Sequence, residues 1–130
     1  MKAYVFDTHI FVWYVGGRRV GRAAARAFRE IDRGVSRAWI PAVVPVELAL
    51  LRERARCEVG IAELEVTLDR NPELRILPLD LAQAREFALL PRALDPFDRM
   101  MLAAARSMRC PLLTADRVLR AAKLVETIWD

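Results

Sequence analysis

The sequence predicts an α/β fold with a central, mainly parallel sheet that is covered by helices on both faces. Short apolar segments, typical of buried strands, alternate along the chain with longer segments of helical periodicity. The chain has 130 residues, of which 55% are apolar, and this suits one ordinary domain with a sizeable core. We therefore expect a single domain over residues 1–130, in which ligands bind beyond the carboxyl ends of the strands.

The first half of the chain is predicted to contain two strands and four helices. Gly16-Gly17 interrupts the first helix, and Gly34 stops the second. Pro41 ends the second strand, whereas Pro45 suits the first turn of the helix that follows. The predicted strands lie at residues 2–6 and 37–40, and the predicted helices at residues 8–14, 20–33, 46–58 and 61–70.

The second half repeats this alternation, with aspartates at the starts of its helices. Asn71-Pro72 closes the preceding helix, and Asp80 is a candidate N-cap of the next one. Asp95-Pro96 and Asp116 open two further helices, because aspartate accepts hydrogen bonds from the free amides of a helix start. The predicted strands lie at residues 74–77, 111–114 and 124–129, and the predicted helices at residues 80–90, 95–109 and from 116 onward.

The charge of the chain favours an anionic partner. The net charge is +4, and nearly all of the positive charge is arginine, since the only lysines are Lys2 and Lys123. Such a surface attracts nucleic acid, an acidic protein segment or a membrane. However, the apolar runs are too short or too acidic to span a bilayer, and no signal-peptide pattern follows Met1. We therefore expect a cytoplasmic protein without a membrane partner.

The two cysteines and the single histidine exclude several kinds of site. Cys57 and Cys110 are expected to be free, partly buried thiols, because cytoplasmic proteins rarely keep disulfides. Two thiols and one histidine also lack the ligands that a structural zinc ion requires. A metal-free ribonuclease that works with two histidines is excluded, because His9 has no partner.

Four acids occupy positions that suggest a common site. Asp7 follows the first strand, and Asp116 follows the strand at residues 111–114, so both are expected at the same edge of the sheet. Glu47 lies inside an otherwise apolar helical segment. Asp98 lies in the first turn of the helix that Asp95 opens.

A cluster of carboxylates favours hard divalent cations. Burial of an unpaired carboxylate costs several kcal/mol, and neighbouring carboxylates raise each other's pKa. Mg²⁺ and Mn²⁺ prefer oxygen ligands and neutralise such clusters. A pair of these ions, about 3.5–4 Å apart, can activate water and stabilise the leaving oxygen in phosphodiester hydrolysis. The acids therefore indicate metal-assisted hydrolysis.

Each acid also has a purely structural interpretation. Asp95 and Asp116 suit N-caps, and Asp98 suits the positive end of a helix dipole. Asp7 could cap the helix that follows it. Glu47 is the hardest to explain in this way, because capping does not account for a glutamate inside an apolar helix.

Three segments of the sequence resemble the PIN-domain family, in particular the toxin nucleases of VapBC-type toxin–antitoxin pairs. Residues 4–13, which read Tyr-Val-Phe-Asp-Thr-His-Ile-Phe-Val-Trp, are similar to the first strand and Asp-Thr-His segment of one branch. Residues 95–99 are similar to that branch's Asp-Pro-Phe-Asp-Arg helix start, and residues 112–116 to its strand-Thr-Ala-Asp segment. The order and spacing of these segments also match, and the similarity runs essentially from end to end.

This resemblance implies a three-layer α/β/α PIN-like sandwich with an acidic metal site. It implies a Mg²⁺- or Mn²⁺-dependent endoribonuclease, the toxin of a type II pair, which hydrolyses RNA phosphodiester bonds. It further implies a homodimer held by a cognate antitoxin protein. Thr114 would be a supporting hydroxyl near the acids. The implied catalytic and metal-binding residues are Asp7, Glu47, Asp98 and Asp116.

The chain departs from that branch at two places, which bear on substrate choice rather than on the acids. Ala93-Leu94 stands where the branch usually has a His-Arg pair before Asp-Pro-Phe-Asp. Pro45-Val46 precedes Glu47, where the branch usually reads Ser-x-Trp-Glu.

Other residues have possible supporting roles beside the acids. His9 could contact RNA or orient an acid, or it could be a local packing residue. Arg99 could neutralise the acids or contact substrate, and Asp95 would support the site as the cap of the helix that carries Asp98. A basic stretch could bind RNA phosphates or could be a solvated helix face. This stretch comprises Arg18, Arg19, Arg22 and Arg26.

The remaining features leave alternatives open. Trp13, Trp39 and Trp129 lack the spacing of a stacking platform, so we expect them to pack in the core or at an interface. The apolar helices between residues 46 and 68 suit a dimer or an antitoxin groove. A phosphatase with an aspartyl nucleophile is disfavoured, because His9 stands where its second acid would be. The alternatives to the toxin are a catalytically weak or inactive PIN-like module that binds RNA or protein, and a housekeeping RNA-processing nuclease.

Overall fold

Five parallel strands form the centre of the protein in the computed structural model, which describes residues 1–130. The strands are β1 (Lys2–Phe6), β2 (Ser36–Pro41), β3 (Leu74–Leu77), β4 (Leu112–Leu113) and β5 (Thr127–Ile128). Their order across the sheet is β3-β2-β1-β4-β5, and every neighbouring pair is parallel. The predicted parallel sheet is therefore confirmed.

Seven helices connect the strands. They are α1 (Thr8–Gly16), α2 (Arg22–Asp32), α3 (Val43–Glu53), α4 (Ile61–Arg70), α5 (Leu81–Leu89), α6 (Pro96–Met108) and α7 (Arg117–Ala122). Helix α2 packs on β2, whereas α6 packs on β1 and β4. The β1–β2 connection steps in one direction across the sheet, and the β3–β4 connection steps in the other. Because parallel crossovers are right-handed, α2 and α6 cover opposite faces.

The core lies between the sheet and these helices. Tyr4, Val5 and Phe6 of β1 are all buried, without alternation, because both faces of the central strand are covered. In α6, five consecutive residues from Met101 to Ala105 are buried, and three of them are alanines that allow close approach to neighbouring elements. None of the helices combines the length and the apolarity needed to cross a membrane.

Most predicted elements are confirmed, and the largest error concerns the end of α3. The helix runs over Val43–Glu53 instead of residues 46–58. After Arg54, the chain turns through Ala55, which has a left-handed backbone conformation (φ 53°). The Arg52 guanidinium donates to the Glu58 carbonyl (2.9 Å) and to Glu63 of α4 (2.9 Å), which holds the turn against the next helix. Those contacts are tertiary, so helical periodicity could not reveal them.

Two further boundaries differ from the prediction. Helix α1 includes Gly16 and ends at Gly17, which takes the left-handed conformation (φ 66°) and donates its amide to the Trp13 carbonyl. Glycine adopts this conformation without steric cost, so it terminates the helix. Strand β5 covers only Thr127–Ile128 of the predicted residues 124–129, because only these two residues pair with β4.

Candidate active site at the switch point of the sheet

The register of β1 and β4 brings Asp7 and Thr114 together. Phe6 at the end of β1 pairs with Leu113 at the end of β4, and the Asp7 amide donates to the Leu113 carbonyl (3.2 Å). The chain leaves these two neighbouring strands toward opposite edges of the sheet. Ligand-binding crevices of open parallel sheets form at such a switch point, beyond the carboxyl ends of the strands.

The carboxylate of Asp7 is buried and accepts two hydrogen bonds. The residue is only 8% exposed, and it is the N-cap of α1, where its Oδ1 accepts from the Ile10 amide (2.9 Å). Its Oδ2 accepts a short hydrogen bond from the Thr114 hydroxyl. Burial raises the pKa of Asp7 from 3.8 to about 6, and the hydrogen bonds from Thr114 and Ile10 oppose that rise. The position therefore favours a bound cation, which would relieve the cost of burying the charge.

Thr114 connects Asp7 to Asp116. Its hydroxyl donates to Asp7 and accepts from the Asp116 amide (3.1 Å). Asp116 is exposed and is the N-cap of α7, where its Oδ1 accepts from the Leu119 amide (3.0 Å). One hydroxyl thus connects the side chain of Asp7 to the backbone of Asp116, although the two residues are far apart in sequence.

Glu47 and Asp98 reach the same place from α3 and α6. The Thr8 hydroxyl, in the first turn of α1, donates to Glu47 Oε1 (2.5 Å). Asp98 lies in the first turn of α6, and its amide donates to the N-cap side chain of Asp95 (3.3 Å). Asp95 therefore sets the start of α6, and this start determines where Asp98 lies.

These four carboxylates line one cleft of about 310 Å³, here called the acid cleft. Its lining contains no lysine or arginine, and it consists of Asp7, Thr8, His9, Trp13, Glu47, Asp98, Met101, Ala115 and Asp116. The pKa of Asp98 is raised from 3.8 to about 6, first by burial and then by the negative charges of Asp116, Asp95, Glu47 and Asp7. The acid cleft is therefore a concentration of negative charge without a balancing side-chain cation in its lining.

The chemistry of this donor set fits a hard divalent cation. All four carboxylates offer oxygen ligands, which Mg²⁺ and Mn²⁺ prefer. No three histidine, cysteine, aspartate or glutamate side chains are already arranged to hold one ion directly. Several carboxylate oxygens accept hydrogen bonds instead, from Thr114, Thr8 and the amides of Ile10 and Leu119. Mg²⁺ keeps several waters in proteins, so it can be bound by one or two direct carboxylates with the others acting through water.

The supporting residues predicted from the sequence fall at different places. His9 is exposed and lines the acid cleft, whereas Asp95 lies outside the lining and acts through the start of α6. Arg99 is directed toward α5, and its contact with substrate stays a prediction. Its Nε donates to the Phe87 carbonyl (3.1 Å), and its guanidinium lies over the Phe87 ring (4.0 Å to the centroid). Arg99 therefore packs against α5 and does not line the acid cleft.

The basic stretch lies beside the acid cleft rather than in its lining, and its role in RNA binding stays a prediction. Arg18 and Arg19 line a separate groove of about 870 Å³ between α1, α2 and α4. Arg22 and Arg26 are exposed on α2 and line neither the groove nor the acid cleft. The guanidinium of Arg18 lies over the ring of Trp13, which lines the acid cleft.

Sequence reasoning missed Thr8, Trp13, Met101 and Ala115 as parts of the acid cleft. Thr8 had one usable signal, a hydroxyl directly after Asp7 at a predicted helix start. Trp13 had another, because it lies four residues after His9 and therefore on the same helix face. Met101 follows Asp98 by three residues, so it also shares a face with a predicted acid. Each of these signals was present in the sequence, but none identifies the distant residue that the side chain contacts.

Removal of the Asp98 charge is expected to stabilise the metal-free protein at neutral pH. The folded-state pKa of Asp98 is about 6, above the ordinary 3.8, so the folded state binds more protons than the unfolded state. The loss of stability caused by the ionised Asp98 is therefore absent below about pH 4, grows as pH rises, and is complete above about pH 6. Because Asp98 is only half-buried, we expect Asp98→Asn to gain about 1 kcal/mol, or a few degrees in Tm, at about pH 8. Thermal melts in chelator should show no gain at about pH 4; equal gains at both pH values would contradict the prediction.

Comparison with known proteins adds to this geometry. The chain is similar to Ribonuclease VapC22 of Mycobacterium tuberculosis, with 27% identity over 134 residues that cover 99% of this chain and 100% of that protein. The fold is similar to VapBC2 of Rickettsia felis bound to a DNA fragment from its promoter, with a TM-score of 0.71, 14% identity and coverage of 98% of this chain and 99% of that chain. It is also similar to VapBC-5 of Mycobacterium tuberculosis, a toxin–antitoxin system, with a TM-score of 0.61, 24% identity and 98% coverage of both chains. A family model described as the PIN domain matches residues 4–124, and the chain therefore belongs to the PIN-domain family.

Proposed function

We propose that this chain is a metal-dependent endoribonuclease and the toxin of a VapBC-type toxin–antitoxin pair. The observation that carries the proposal is the acid cleft, where carboxylates from four separate parts of the chain share a space whose lining has no lysine or arginine. Similarity to a protein named Ribonuclease VapC22 supports RNA as the substrate. The basic net charge of +4 agrees with an anionic substrate.

In this proposal, Mg²⁺ or Mn²⁺ is bound by the carboxylates of the acid cleft, which are Asp7, Glu47, Asp98 and Asp116. Thr114 and Thr8 orient two of these carboxylates by donating to Asp7 and Glu47. When bound, the ion supplies Lewis-acid stabilisation of phosphate charge and a water of lowered pKa. His9, which is exposed at the rim, contacts the RNA backbone. Asp95 positions Asp98 by capping α6.

The proposed site for the cognate antitoxin is the groove between α1, α2 and α4. Half of its 16 lining residues are apolar, and Val66 within it is 48% exposed. Apolar surface bordered by charged side chains is typical of a site for a partner protein. Arg18, Arg19 and Arg70 would pair with acidic residues of the antitoxin, and Asp32 with a basic one. An apolar antitoxin segment with charges of both signs therefore fits this groove.

We also propose that the chain forms a homodimer. Leu81 and Leu89 of α5 are 65% and 74% exposed, and Leu79 just before α5 is 61% exposed. Leu79 also lines a small apolar cavity between Phe87 of α5 and Met100 of α6. Light scattering of the purified chain tests this part of the proposal, and a dimer that Leu89→Lys converts to a monomer is the expected result.

The first experiment is RNA cleavage by the purified, antitoxin-free protein. A mixed RNA pool should be cut in Mg²⁺ or Mn²⁺ and should remain intact in chelator, because the acid cleft has no lysine or arginine to replace the metal. Asp98→Asn, measured in parallel, should show the same loss as chelator. Cleavage that persists in chelator, or in the variant, would contradict the assignment of the reaction to the acid cleft.

Two alternatives predict different results. An inactive PIN-like module would bind RNA or protein without cutting RNA under any metal, and its expression should not stop cell growth. A housekeeping RNA-processing nuclease would cut RNA without a dedicated inhibitor. Growth arrest on induced expression, relieved when a small neighbouring gene is expressed with it, is the result expected of a toxin.

A further inference from the structure

We propose that Trp13 forms a stacking site for one unpaired RNA base beside the acid cleft. The proposal deepens the proposed ribonuclease function and rests on it, because the base would belong to a nucleotide next to the scissile phosphate. Arg18 would bind the phosphate of that nucleotide. We expected Trp13, like the other two tryptophans, to pack in the core or at an interface, and the stacking site gives it a second role.

The partly buried ring of Trp13 on α1 lies where the acid cleft meets the groove between α1, α2 and α4. Trp13 lies one turn after His9, and both residues line the acid cleft. The centroids of the two rings are 5.9 Å apart, and the ring planes are tilted by 46°. The same indole also lines the groove between α1, α2 and α4. A strand of RNA whose scissile phosphate lies at the acids would therefore pass Trp13.

Trp129 holds the Trp13 ring in a defined orientation. The two indole centroids are 5.5 Å apart, with a tilt of 50°. Trp129 is itself fixed, because its carbonyl accepts from the Ala24 amide in α2 (3.1 Å). Gly21 leaves the space for that approach, since a Cβ there would lie 2.2 Å from the Trp129 carbonyl oxygen. An aromatic ring that is oriented before its ligand arrives binds at a lower entropic cost.

One face of the Trp13 ring is covered by the planar guanidinium of the exposed Arg18, so a planar group can reach this face from solvent. The guanidinium carbon lies 4.5 Å from the ring centroid. Arg18 takes part in none of the three ion pairs of the chain. A base can take the stacking position while the guanidinium moves to an adjacent phosphate, to which arginine donates in a bidentate manner.

The charge of the acid cleft explains why a stacking contact would be useful there. Four ionised carboxylates carry more charge than one divalent cation neutralises, so the remaining negative charge would repel the phosphates that flank the scissile one. Stacking on an aromatic side chain contributes without charge, and every base has a suitable face. An unpaired base is required, because bases inside a duplex already stack on each other.

The test combines a change in the protein with a change in the RNA. The cut position in a short single-stranded RNA of mixed sequence is mapped first, and abasic nucleotides are then placed one by one around it. For the wild-type protein, we expect one abasic position to lower kcat/KM by about tenfold. Trp13→Leu should lower kcat/KM on the intact RNA by a similar factor and should show no further loss on that abasic RNA. Trp13→Phe should recover part of the loss, because it retains a ring.

The outcomes separate this proposal from the proposed function. The stacking site is wrong and the nuclease stands if wild-type protein cuts RNA but no abasic position lowers kcat/KM. The same holds if the losses of kcat/KM from Trp13→Leu and from the abasic nucleotide multiply when they are combined. Binding without metal gives a second measurement, in which the same RNA is titrated in chelator and tryptophan fluorescence is recorded. We expect quenching in wild type and in Trp39→Phe, whose ring lies on β2, and reduced quenching in Trp13→Phe. Quenching without cleavage under any metal would support the stacking site and overturn the nuclease. The absence of both quenching and an abasic effect would overturn the stacking site.

Discussion

Replacement of Asp116 by asparagine is expected to lower RNA cleavage by about a thousandfold or more while the fold stays intact. Asparagine keeps an oxygen that can accept from the Leu119 amide, so the cap of α7 survives. The variant loses one negative charge from the acid cleft, and with it affinity for a divalent cation. Two quantities are measured, the cleavage rate in Mn²⁺ and the increase in Tm that Mn²⁺ causes. For wild type, Mn²⁺ at a hundredfold excess over Kd should raise the free energy of unfolding by about 2.7 kcal/mol.

Asp80→Asn is the matched control for Asp116→Asn. Asp80 is also an exposed N-cap aspartate, whose Oδ1 accepts from the Gln83 amide at the same distance of 3.0 Å, but it lies outside the acid cleft. Asp80→Asn should therefore keep both the cleavage rate and the Mn²⁺ effect on Tm. If both variants keep wild-type activity, Asp116 is only a cap. If both lose activity to the same extent, the loss is a nonspecific effect on helix starts.

Replacement of Gly21 by alanine is expected to destabilise the protein by about 2 kcal/mol, or roughly 8 °C in Tm. A Cβ at Gly21 would lie 2.2 Å from the Trp129 carbonyl oxygen and 2.8 Å from its carbonyl carbon, both of which are backbone atoms. The end of the chain would have to shift, and the hydrogen bond from the Ala24 amide to Trp129 would be lost or lengthened. Thermal melts measure the stability, and tryptophan fluorescence reports the movement of Trp129 relative to Trp13.

Gly16→Ala is the matched control for Gly21→Ala. A Cβ at Gly16 meets no atom within 4 Å, and Gly16 is the last residue of α1, where its helical backbone tolerates alanine. Its Tm should be unchanged or slightly higher. If Gly21→Ala behaves in the same way, the contact between α2 and the end of the chain contributes little to stability.

The fold could largely be predicted from the sequence because its signals are local. Asp80, Asp95 and Asp116 mark helix starts, and the structure shows each of them accepting hydrogen bonds from amides of the first turn. The edge at which the acids lie followed from strand polarity, because Asp7 and Asp116 each come just after a strand. The end of α3 could not be predicted, since it depends on contacts from Arg52 to residues beyond the helix.

The side chains around the acids were harder to predict than the acids themselves. Arg99 is adjacent to Asp98, but consecutive helical residues point about 100° apart, so the arginine packs on Phe87 instead. Thr8 contacts Glu47 across 39 residues of sequence, and no local pattern indicates that pairing. The catalytic and metal-binding roles of the four acids remain predictions, and the variants above test them.

The sequence by itself determined the alternation of strands and helices, the helix caps and the position of Asp7 and Asp116 at one edge of a parallel sheet. These features depend on periodicity and on contacts within about four residues, so they can be read along the chain. Only the tertiary structure decided that Thr114 bridges Asp7 to Asp116, that arginines are absent from the lining of the acid cleft, and that Trp129 supports Trp13. Each of these depends on the register of β1 with β4 or on the packing of segments far apart in sequence, which fixes the direction of side chains that local patterns leave open.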